Sequence, residues 1–112
     1  RDADSLAMKA SDDKSVGREG EPGKRECRFE IVNRLGLHAR AAAKLVRLAN
    51  RFSSEIRVSR QGVEVNGKSI MGVLMLAAHR ESSISVCAEG MDAREAVDAI
   101  GMLIAGKFEE EE

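Results

Sequence analysis

The chain is short of the residues that read nucleic acid or cross membranes. Among its 112 residues are three Phe, and neither Tyr nor Trp. Stacking on unpaired bases needs such rings, so their scarcity argues against a nucleic-acid ligand. Charge of one sign is also lacking: 18 basic residues face 19 acidic ones, for a formal net charge of −1. That balance supplies no general attraction to DNA, RNA or an anionic lipid surface. No apolar run approaches the roughly 20 residues of a spanning helix, so no membrane insertion is expected. The opening residues carry no apolar core of the secretory-signal kind, and a cytoplasmic location is expected. Cys27 and Cys87 lie far apart and form no C-x-x-C pair. Strand alternation sends them to opposite sheet faces, so free thiols are expected.

What is present suits one small domain with an extension. Apolar residues make up 43% of the chain, enough for a workable core. Residues 1–25 hold six basic and six acidic residues, three Gly and the only Pro. Such a segment cannot bury enough apolar surface to offset its ordering entropy. It reads as a flexible extension, with residues 26–112 as the folded domain.

Order is expected from Cys27. Cys27, Phe29 and Ile31 alternate with polar residues, as in a half-buried strand. Asn33 to Gly36 is a loop. Ala42, Leu45, Val46 and Ala49 then fall at helical spacing, with Arg40, Lys44, Arg47 and Arg51 off the stripe. Glu55–Arg60 and Val63–Val65 form a hairpin about Gln61-Gly62. Ser69 is an N-cap for a helix from Ile70 to about Ala78, with Ile70, Val73, Leu74 and Ala77 inward. Ser83–Ala88 is a fourth strand. Asp92, with Glu95 three positions on, predicts a capping box for a last helix reaching Phe108. The acidic run Glu109 to Glu112 opposes a helix C-terminus and is expected to fray. The order is βαββαβα, an α+β fold with a four-stranded, mainly antiparallel sheet and three helices on one face.

The chemistry concentrates at Gly36-Leu37-His38-Ala39-Arg40. His38 stands where the loop hands over to the first helix. There, unpaired backbone N–H groups and the positive end of the helix dipole favour an anion. Imidazole is a competent phosphoryl acceptor near neutral pH. Arg40, in the same turn, can pair with phosphoryl oxygens in fork geometry. Taken alone, a histidine at a helix start is more often a surface residue or a cap.

The stretch from Cys27 to about Phe108 resembles the HPr family, the histidine-containing phosphocarriers of the bacterial phosphotransferase system. Gly36-Leu37-His38-Ala39-Arg40 is similar to that family's active-site signature. Val65-Asn66-Gly67-Lys68-Ser69-Ile70-Met71-Gly72-Val73 is similar to its second signature, and Ala88-Glu89-Gly90 also fits. The resemblance implies an open-faced β-sandwich. It implies phosphorylation of His38 on Nδ1 by a phosphorylated enzyme I-type donor, with Arg40 assisting, and delivery to an enzyme IIA-type acceptor. It implies regulatory phosphorylation at Ser69 by an HPr kinase/phosphorylase. A phosphate at that N-cap would also repel an acidic donor. No cofactor and no metal are expected, and a monomer is. The family usually has Pro after the arginine, where this chain has Ala41. That change restores one N–H donor and bears on partner preference and rate.

Leu37, Ala39, Met71 and Met75 are expected to form an apolar docking patch around the histidine, because methionine adapts to several partners. His79 is read as structural. Two other readings compete. One is a regulatory binding protein in which docking and Ser69 phosphorylation matter more than transfer through His38. The other is an unrelated α+β ligand-binding module with an unreactive His38.

Overall fold

The computed structural model describes residues 23–110. Four strands, β1 (Lys24–Glu30), β2 (Glu55–Arg60), β3 (Val63–Asn66) and β4 (Ser83–Glu89), form one sheet in the order β1-β4-β2-β3. Every pairing is antiparallel. Three helices, α1 (Ala39–Ala49), α2 (Ile70–Met75) and α3 (Ala93–Ala105), complete an open-faced α+β sandwich.

Alternation in the strands builds the interface between layers. Ile56 and Val58 of β2 and Ile84, Val86 and Ala88 of β4 are buried. They meet Ala42, Leu45 and Val46 of α1 and Val97, Ile100 and Ile104 of α3 in one core. Each of the larger aliphatic side chains contributes roughly 1.5–3 kcal/mol relative to exposure. Cys27 packs against this core and lies opposite Val86, whereas Cys87 lies opposite Glu26 and Arg57. Neither cysteine is in a disulfide. Burial, and then the nearby Glu26 charge, push the Cys87 thiol up, which disfavours the reactive thiolate.

Several expected boundaries move. β1 begins at Lys24, ahead of Cys27. Residues 1–22 of the expected extension lie outside the described residues. α2 stops at Met75, short of Ala78. Ala77 adopts a left-handed φ of 50°. The reversal turns Leu76 and Ala78 into the core and leaves Ala77 on the surface; Ile70, expected inward, is 44% exposed at the start of the helix. His79 therefore lies beyond the helix. Its Nδ1 lies 2.9 Å from the Arg80 carbonyl and its Nε2 3.4 Å from Arg60 Nη2.

Asp92 precedes α3 but makes no capping bond to it. Its carboxylate instead accepts from the Ser53 and Ser54 N–H groups, both at 2.9 Å, and from the Ser54 hydroxyl. These bonds, the Ser54 hydroxyl first, hold the Asp92 carboxyl at about 2. The capping box is thus replaced by a tie between the loop before β2 and the start of α3.

The end of the chain is also ordered differently from expectation. α3 closes at Ala105, and Phe108 reaches full burial from a separate turn at Lys107–Glu109. Lys107, Phe108 and Glu109 all have left-handed φ, at 59°, 56° and 65°. Glu109 N–H donates to Gly106 O and Glu110 N–H to Lys107 O, both at 3.0 Å; residues 111–112 of the expected frayed run lie outside the described residues.

Candidate functional site

The site begins with a loop that needs glycine. Gly36 has φ of 67°. A Cβ there would stand 2.5 Å from the Ala78 carbonyl oxygen, so no other residue fits without a shift. The loop is tied down on three sides. Leu37 N–H donates to Ala78 O at 2.8 Å, Gly36 N–H to Asn33 O at 3.2 Å, and the buried Asn33 amide to Gly36 O at 2.8 Å.

This anchoring delivers His38 to the N-cap of α1 in extended backbone geometry, with φ −74° and ψ 178°. Its carbonyl accepts the first helical bond, from Ala42 N at 2.8 Å. Its side chain is also the cap: Nδ1 accepts from the Arg40 N–H at 3.2 Å. The expectation of a helix cap is met by this ring. Accepting at Nδ1 requires a lone pair there, which places the neutral ring's proton on Nε2. Nε2 donates to the Glu110 carboxylate.

Glu110 is held at both oxygens. Oε2 meets His38, and Oε1 accepts from Asn33 Nδ2 at 3.2 Å. Burial alone would push the Glu110 carboxyl up. The hydrogen bonds from His38 and Asn33, then the charges of a protonated His38 and of Lys44, outweigh it and hold the group below the ordinary carboxylate range. The His38 side chain stays 27% exposed. It opens into a groove of about 850 Å³ lined by Arg34, Leu35, Arg40, Lys44, Glu109 and Glu110. Lys44 Nζ reaches the Phe108 carbonyl at 2.9 Å and Glu109 at 3.4 Å. The groove thus gathers three cationic side chains, Arg34, Arg40 and Lys44, and two carboxylates, Glu109 and Glu110, beside His38 at the open end of α1. Among the described residues, no cluster of three or more His, Cys, Asp or Glu side chains is arranged to hold a metal ion. None of their helices is long and apolar enough to cross a membrane.

Ser69 caps α2, accepting from the Gly72 N–H at 3.1 Å. α1 and α2 pack against each other. Around them Ala39 is exposed, and Met71 and Met75 are each 72% exposed. Leu37 is not part of this surface. Its side chain is 4% exposed and belongs to the core, because the loop that presents His38 is anchored through it. Leu35, 61% exposed and lining the groove, supplies the apolar surface expected of Leu37. Sequence reasoning also missed Asn33 and Glu110.

Fold and site together define an open-faced α+β sandwich that displays one imidazole at a helix N-terminus. Residues 25–106 match the family described as the PTS HPr component phosphorylation site. The phosphocarrier protein HPr of Cupriavidus necator is 52% identical over 82 residues, covering 73% of this chain and 92% of that protein. HPr of Neisseria meningitidis is 48% identical over 84 residues, covering 75% and 94%. A crystal structure of HPr from Thermoanaerobacter tengcongensis superposes with a TM-score of 0.76 at 44% identity, covering 79% of this chain and 99% of that one. Another, described as an HPr dimer from the same organism, gives 0.63 at 45% identity, covering 73% and 94%. The chain belongs to the HPr family of phosphocarrier proteins of the phosphotransferase system.

Proposed function

We propose that this chain carries a phosphoryl group on Nδ1 of His38, taking it from a phosphorylated enzyme I-type donor and passing it to an enzyme IIA-type acceptor. The observation that carries this reading is the ring itself. Its Nδ1 lone pair sits at the open end of α1, at the rim of a groove with Arg34, Arg40 and Lys44.

In the forward step, the Nδ1 lone pair forms the N–P bond. The bond between phosphorus and the donor's leaving atom breaks, and its electron pair returns to the donor. The phosphoryl oxygens then take over the Arg40 N–H that the ring had held, aided by the helix dipole. Arg40, exposed beside them, supplies a guanidinium. Covalent storage splits one transfer into two steps. The carrier needs little machinery of its own, since its partners supply most of the positioning.

Ala39, Met71 and Met75, with Leu35 in place of Leu37, form the docking patch. Ser69 is the regulatory position: a phosphate added there by an HPr kinase/phosphorylase brings about two negative charges to the docking side. The carrier domain starts with β1 at Lys24, two residues ahead of the expected boundary, the residues before it form an extension, and the protein acts as a cytoplasmic monomer. Sedimentation across a concentration series tests the last point, a dimer contradicting it.

The relay is tested by mixing the protein with a phosphorylated enzyme I and an enzyme IIA. Label reaching the acceptor only when the wild-type chain is present supports the carrier. Label that stops at the donor, with binding to a regulator retained, favours the regulatory binding protein instead.

A further inference from the structure

We propose that Glu110 is a positioning residue for phosphoryl transfer, holding the proton on Nε2 of His38 so that the phosphorylated ring stays a good leaving group. This inference rests on His38 being the phosphoryl acceptor.

Three observations carry it. Glu110 touches Nε2, the ring nitrogen that takes no part in capping the helix, while Nδ1 faces Arg40 N–H. The carboxylate is itself oriented: Asn33, fully buried, donates to its other oxygen and also braces the loop at Gly36. Acceptor, orienter and nucleophilic ring thus form a chain, the arrangement by which a nucleophile's partner is fixed in place. Finally, the backbone that brings Glu110 to the ring is costly. Three successive non-glycine residues, Lys107 to Glu109, lie in the left-handed region, where a side chain crowds its own backbone. Burial of Phe108 anchors that turn. Strain of this kind persists where the surroundings over-determine it.

Charge supplies the chemistry. When Nδ1 bonds to phosphorus and Nε2 keeps its proton, the ring becomes cationic. A carboxylate on Nε2 stabilises that cation, as a buried acid does for an imidazolium elsewhere. In the onward step the N–P bond breaks and its electron pair returns to Nδ1. A protonated ring accepts that pair readily, giving back the neutral Nε2–H form. An unprotonated ring would have to leave as an anion. The two nitrogens point in different directions, so carboxylate and phosphoryl group do not compete for one atom. The other charged groups of the groove are Arg34 on the loop, Arg40 and Lys44 on α1, and Glu109 on the turn. Of the groove's two carboxylates, Glu110 meets Nε2, whereas Glu109 pairs with Lys44.

The test uses phosphoramidate, a small P–N donor that needs no protein partner. Wild type and Glu110→Gln are phosphorylated with it, and loss of the phosphohistidine ³¹P signal is timed across a range of pH. Glu110→Gln keeps the shape, removes the charge and leaves one accepting oxygen in place of two, and an amide spectrum confirms the fold. The expected result is an acid-promoted loss whose pH profile moves to lower pH in the variant. At neutral pH its phosphoryl group should live about tenfold longer, the size of one charge-assisted hydrogen bond. Superimposable profiles overturn the positioning role and leave the carrier reading intact. Failure of wild-type His38 to take up phosphate overturns both.

Discussion

Gly36 rests against the carbonyl of Ala78 so closely that a Cβ would stand 2.5 Å from its oxygen. The loop before α1 and the segment after α2 are locked together at that point, and His38 is two residues further on. Gly36→Ala should therefore cost on the order of 2–4 kcal/mol, read as a lower denaturant midpoint. Phosphoryl uptake should fall in the molecules that still fold, because the imidazole loses its register with the helix end.

At Ser69 two substitutions separate capping from regulation. Ser69→Ala removes the acceptor for Gly72 N–H and should cost about 1 kcal/mol with little effect on transfer. Ser69→Asp keeps a capping oxygen and adds charge. It should hold stability near wild type while slowing uptake from the donor by about tenfold or more. Thermal melts and label uptake, run on both variants, check the pair.

The exposed methionines give a surface prediction. Met71→Glu with Met75→Glu should leave the melting curve close to wild type, since both side chains are 72% exposed. Transfer from a protein donor should drop about tenfold, while uptake from phosphoramidate should not change. Equal losses with both donors would place the effect at the ring and not at the docking patch.

Much of this was legible in the sequence. Period-two and helical spacing placed all four strands and three helices, and Gly36-Leu37-His38-Ala39-Arg40 pointed to the candidate site. What was hidden depended on contacts between distant segments. Asp92 and Glu95 spell a capping box, but Ser53 and Ser54 capture the Asp92 carboxylate first. Leu37 looks like a docking residue beside the histidine, yet the loop is anchored through it. Glu110 lies 72 positions from His38, and nothing local says that a left-handed turn will bring them together.

Asp92 also sets a pH dependence. Its carboxyl, held at about 2 against an ordinary 3.8, favours the folded state when ionised. A depressed carboxyl contributes above its unfolded value and loses that contribution as pH falls through its folded one. Asp92→Asn should therefore melt several degrees lower than wild type at neutral pH. The gap should narrow as pH falls from about 3.8 toward about 2. A gap that is constant through that window would contradict the ionised tie to Ser53 and Ser54.

The central claim is chemical: Nδ1 of His38 takes the phosphoryl group. The most direct measurement incubates wild type and His38→Ala with a phosphorylated enzyme I and records ³¹P spectra of the intact protein. The account predicts an acid-labile, base-stable signal of an Nδ1-phosphorylated imidazole in wild type, and none in the variant. A signal that persists in His38→Ala, or a wild-type ring left bare by a competent donor, would contradict it.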